Sequence, residues 1–105
     1  MKFKIQVGTA TYTVHVVPHL LRDKNAYGLT EFMPKKIYVD ADLLPTQEAL
    51  FVQTLLHEVN HAALHEYGIR IEEREAEEAI VDFIAMNLVL LRKNKKFMSM
   101  VLGDK

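Results

Sequence analysis

The segment from Leu55 to Glu66, LLHEVNHAALHE, carries histidines at 57, 61 and 65 and a glutamate at 58. A helix turns ~100° per residue, so His57 and His61, four apart, stack on one face and can reach a single ion. Glu58 sits ~100° round from His57, too far to share that ion readily but close enough to reach a water beside it. Two neutral imidazoles that hold zinc, with a carboxylate that takes a proton from the water, are the chemistry of the H-E-x-x-H arrangement. The chain has no cysteine, so any metal must be held by nitrogen and oxygen, and disulfides and thiolate nucleophiles are excluded.

A catalytic zinc site needs three protein ligands and an open fourth position. Downstream, Glu72, Glu73, Glu75, Glu77 and Glu78 are available. The first four fall in the polar opening turns of a second helix, whereas Glu78 begins its apolar stretch. Asp82 lies one turn later on the same face, a lone carboxylate inside AIVDFIAM. Buried there, it requires a partner, and a metal-bound histidine donating its other ring N–H would supply one. His65 extends the histidine face, but it stands ~12 Å along the axis from His57, a poor span for one tetrahedral ion, and is read as a rim residue. A metzincin arrangement would need Gly at 64 and His at 67, where this chain has Leu64 and Tyr67. His15 and His19 are read as surface histidines.

Two elements must position these groups. LLPTQEALFVQTLLHEVNHAALHEYG predicts a long helix with Thr46 as N-cap and Gly68 as stop. A second helix is expected from about Glu72 to Lys93, acidic at its start and basic at its end, as suits the helix dipole. Its middle, AIVDFIAMNLVLL, is apolar nearly all round, which predicts burial at the centre of the domain. Before them, Phe3, Ile5 and Val7, then Tyr12, Val14 and Val16, alternate with polar residues on either side of Gly8 and predict a β-hairpin. Lys35 to Asp40, KKIYVD, is a third strand by its β-branched and aromatic content. Pro18 to Pro34 is read as loop with one short helical turn or strand. FMSMVLG closes the chain as a short helix.

His57-Glu58-Val59-Asn60-His61, followed by Glu78 to Asp82 (EAIVD), resembles the gluzincin pattern of zinc metallopeptidases, in which thermolysin-like enzymes carry a similar Glu-Ala-x-x-Asp segment on the second active-site helix. The resemblance covers mainly Ile37 to Leu91. It extends to the compact metallopeptidase core of ImmA/IrrE-type proteins and small phage-encoded relatives. It implies an α+β, zincin-like fold: a small, mostly antiparallel sheet packed on the H-E-x-x-H helix, with the glutamate helix behind. It also implies zinc held by His57, His61 and Glu78, with Glu58 as general base and Asp82 orienting a ligand histidine. The strand at Ile37 to Val39 would be the edge on which an extended peptide substrate docks. Tyr67, His65, Tyr27 and His19 are of suitable type to stabilise a tetrahedral oxyanion.

A single domain spanning residues 1–105 is expected at this length. The net charge of −1 gives no field that favours nucleic acid or an anionic membrane. The alternating N-terminus is read as strand rather than signal peptide, and no apolar run approaches a membrane span, so the expected location is the cytoplasm. A rival reading is a non-catalytic module that keeps a structural zinc and binds a protein partner. A base beside the ion, as Glu58 would be, has no use in such a site.

Overall fold

The computed structural model describes residues 1–103. Strands β1 (Lys2–Val7) and β2 (Ala10–Val17) form the expected hairpin, with Gly8 at φ 64 supplying the turn. Alternation sends Tyr12, Val14 and Val16 to one face, where all three are buried. The stretch between Pro18 and Pro34 holds both a short helix, α1 (Leu20–Lys24), and a strand, β3 (Gly28–Glu31), where only one of them was expected. β4 (Lys36–Asp40) follows. The buried carboxylate of Asp40 accepts the backbone N–H of Leu21 at 3.0 Å and of Asp42 at 2.9 Å, fixing the start of α1 to the 3-10 turn at Ala41–Leu43.

The sheet runs in the order β1-β2-β4-β3. β1 with β2 and β3 with β4 are antiparallel, but β2 with β4 is parallel, so the α+β fold has a mixed sheet. This order corrects the expectation for Ile37 to Val39. That segment is an interior strand, both residues fully buried, and β3 is the edge. β4 pairs on both of its edges, with β2 and with β3, and buries Ile37 and Val39 on the face turned to the core.

Helix α2 (Glu48–Glu66) crosses the inner face of the sheet and seats Phe51 and Ala62 in the core with Tyr12, Val14, Ile37 and Val39. Full burial of each large apolar side chain there stabilises the fold by ~1.5–3 kcal/mol. The helix is capped at Gln47 rather than Thr46, because Leu43 to Gln47 closes its own turn, Gln47 N–H donating to the Leu43 carbonyl at 2.7 Å. At the other end, Glu66 Oε2 accepts the Tyr12 hydroxyl at 2.7 Å and Lys35 Nζ at 2.8 Å. The Lys35 and Tyr12 hydrogen bonds hold the Glu66 carboxyl below the usual range, and burial, with Glu66 beside it, pushes the Tyr12 phenol up.

Helix α3 (Arg74–Leu91) lies against α2, joined by the Asn60 side chain donating to the Val81 carbonyl at 3.3 Å. Val81, Ala85 and Val89 are buried, yet Phe83 is 68% exposed and Leu90 56%. The helix is therefore covered on one face only, contrary to the all-round burial its apolar run predicts. The exposed guanidinium of Arg92 pairs with Glu48 at 2.8 Å, linking the end of α3 to the start of α2. A final helix, α4 (Lys95–Leu102), has no buried residue. Among the described residues, no helix is long and apolar enough to cross a membrane.

Candidate metal centre

The α2–α3 contact brings His57, His61 and Glu78 together, with one ligand atom from each lying within 4.8 Å of the others. His57 Nε2 and His61 Nε2 are 3.2 Å apart, His57 Nε2 is 3.0 Å from Glu78 Oε1, and His61 Nε2 is 2.8 Å from Glu78 Oε2. Ligands at zinc's usual ~2.0–2.1 Å from nitrogen or oxygen stand ~3.3 Å from one another on a tetrahedron, so these separations are close to those of one coordination shell.

What the other ring nitrogens do decides which atoms face the centre. His61 Nδ1 is 2.6 Å from Glu77 Oε2. A proton on Nδ1 donated to that carboxylate would leave the Nε2 lone pair free to face a metal ion. His57 Nδ1 lies 3.5 Å from Asp82 Oδ1, within ion-pair distance but without a hydrogen bond. Two imidazole lone pairs and a carboxylate thus converge on one point, and a divalent cation satisfies all three. This nitrogen and oxygen donor set fits zinc, with each histidine backed by its own acid.

Asp82, expected to orient a ligand histidine, lies beside His57, but it is not buried. Its side chain is 49% exposed, and it also accepts from Gln53 Nε2 at 3.3 Å. The open outer side of α3 spares Asp82 the penalty that full burial of a lone carboxylate would carry. Glu77 was assigned to a polar opening turn, yet it makes the shortest contact in the cluster. A signal for it existed: each ligand histidine needs a second partner, and Asp82 can serve only one of the two.

Glu58 is 9% exposed and reaches toward β3, on the cleft that His61 and Glu78 also line. The Thr30 hydroxyl donates to Glu58 Oε1 at 2.7 Å, with the Glu58 carbonyl oxygen 3.2 Å away. β3 approaches α2 closely here because residue 28 is glycine. A Cβ on Gly28 would stand 2.8 Å from Thr54 Cγ2 and 2.9 Å from Glu58 Cγ. The short GLTE strand gave no sequence signal strong enough to place Thr30 over Glu58.

A cleft of about 360 Å³ opens between β3 and α3, lined in part by Thr30, Phe32, Glu58, His61, Arg74 and Glu78. Tyr67, Tyr27 and His19 are not among its lining residues. Tyr67 instead lies beside Gly8, and His19 Nδ1 is 3.0 Å from Asp42. His65 is stacked on Phe32 with ring centroids 4.4 Å apart, lining the neighbouring hollow rather than joining the three ligand atoms. Arg74 supplies the cation in the cleft, a residue that the sequence reading passed over. A further hollow of about 320 Å³ lies against the opposite face of the sheet, beside Leu29, Glu31 and Tyr38, and no histidine lines it. Comparison of the chain with protein-family models, curated proteins and solved structures gives no match.

Proposed function

We propose that this chain is a zinc-dependent peptidase in which Glu58 serves as general base for hydrolysis of a peptide bond. The observation that carries this reading is the convergence of His57 Nε2, His61 Nε2 and the Glu78 carboxylate, with Glu77 and Asp82 behind the two rings. A zinc ion held by these three residues supplies Lewis acidity, bringing the pKa of water to ~7 and polarising a carbonyl.

The remaining steps belong to the chain's own groups. Thr30 fixes Glu58 Oε1, leaving Oε2 to accept a proton from water and return it to the departing amine nitrogen. The position of Arg74 on the cleft suits it to charge developing on the carbonyl oxygen. The substrate class follows from β3. Its outer edge has no partner strand among the described residues, and an extended peptide pairing there would run along the cleft. A structural site would be closed by a fourth protein ligand, and His65, the candidate for that place, is turned onto Phe32.

The test is Glu58→Gln, assayed on a library of unstructured peptides alongside a zinc determination. A loss of cleavage of at least ~100-fold with zinc retained is expected. A variant that cleaves as fast as the wild type would remove Glu58 from the mechanism.

A further inference from the structure

Helix α3 presents a second, unrelated feature on the side turned away from α2. Ile80, Phe83, Ile84, Met86 and Leu90 are between 38% and 68% exposed. At ~100° per residue they fall, with Ala76, Ala79 and Asn87, within an arc of roughly 160° centred near Phe83. Asn87 is the one polar side chain in that arc. At these exposures the stripe leaves on the order of 500 Å² of apolar surface, near the upper end of what the largest patch on a monomer spans. α4, which follows α3 in the chain, also exposes apolar side chains, Phe97 at 46% and Met100 at 76%.

The charges around the stripe select its occupant. Exposed Glu72, Glu73 and Glu75 precede or open α3, and exposed Lys93, Lys95 and Lys96 follow it. Lys93 lies just past the C-cap of α3, Arg92, whose backbone is still right-handed helical. About five turns from Glu75, it therefore falls on the same flank of the stripe, at the opposite end. When two copies of a helix pack antiparallel about a two-fold axis, like flanks meet and the ends exchange. Glu75 of each copy then faces Lys93 of the other, and the axis passes at the level of Ile84. A parallel pair would set acid on acid and base on base. We infer that this face of α3 is the contact surface of a homodimer, formed by a second copy of the chain with its α3 antiparallel to the first.

Sedimentation velocity on the full chain, with and without zinc, tests this. A dimer is expected at about 50 μM protein, near the extent of surface that specific association requires. Phe83→Asp, at a position already exposed and off the metal face, should weaken association by at least ~100-fold with zinc binding unchanged. Glu75→Lys should weaken it as well, and Glu75→Lys combined with Lys93→Glu should restore it, because the exchange rebuilds the same pairs with their signs reversed. A wild-type protein that remains monomeric at about 200 μM overturns the proposal. So does a dimer indifferent to Phe83→Asp, or a stripe that binds vesicles of anionic phospholipid while the protein stays monomeric. Failure of the paired charge exchange to recover association overturns the antiparallel arrangement.

Discussion

Each histidine of the candidate centre sets one ring nitrogen toward the other two members of the triad and the other toward an acid, and the two acids are unequal. Glu77 sits 2.6 Å from His61 Nδ1, whereas Asp82 is 3.5 Å from His57 Nδ1, half-exposed and shared with Gln53. Removing a carboxylate that orients a ligand histidine lowers metal affinity by ~10–100-fold. Glu77→Gln is therefore expected near the top of that range and Asp82→Asn near or below its bottom, as read by competition against a chromophoric chelator. A larger loss from Asp82→Asn than from Glu77→Gln would show that the rings are oriented otherwise. Residue types and spacing placed His57, His61, Glu78 and Asp82 on facing helix surfaces before any coordinates. They did not single out Glu77 or Thr30. Glu77 was masked by a run of acidic neighbours, and Thr30 acts across 28 residues of chain, a distance over which periodicity carries no information.

The elements differ in how plainly the chain announces them. The hairpin and the long helices follow from their periods of two and 3.6, whereas β3 is four residues, GLTE, too short for its period to stand out. Its position nevertheless governs the setting of Glu58, because Gly28 lets it come down onto Thr54 and Glu58. Gly28→Ala should force β3 outward or displace the Glu58 side chain, lowering stability by ~1–3 kcal/mol in urea denaturation. It should also reduce peptide cleavage while the zinc ligands, held between α2 and α3, keep their affinity. Unchanged stability and cleavage would mean that the close approach is not required. Where α2 ends, the Lys35 and Tyr12 hydrogen bonds hold the Glu66 carboxyl below its ordinary value. A depressed carboxyl stabilises the fold above the unfolded glutamate pKa of ~4.3, and that contribution disappears as pH falls through the lower folded value. The stability difference between wild type and Glu66→Gln should accordingly shrink as pH drops from about 6 to about 3. A constant difference across that window would contradict the assignment.

For the molecule as a whole, one sheet face and one long helix make up most of what can be buried. The apolar run of α3 predicts a central helix, but a chain of 105 residues with a four-stranded sheet has too few elements to surround it. Val81, Ala85 and Val89 face α2 and the rest of the run faces outward, which periodicity alone does not reveal. The same economy leaves the Glu78 side chain 45% exposed, a ligand that solvent and a substrate can both approach. If His57 and His61 of α2 and Glu78 of α3 hold zinc as proposed, the ion would also help to hold α3 onto α2. The most direct measurement is calorimetric titration of metal-stripped protein with zinc, in parallel on wild type and Glu78→Ala. The account predicts one zinc per chain in the wild type and an affinity loss of more than ~100-fold in the variant, larger than the loss of an orienting acid. No binding by the wild type, or equal binding by both, would contradict it.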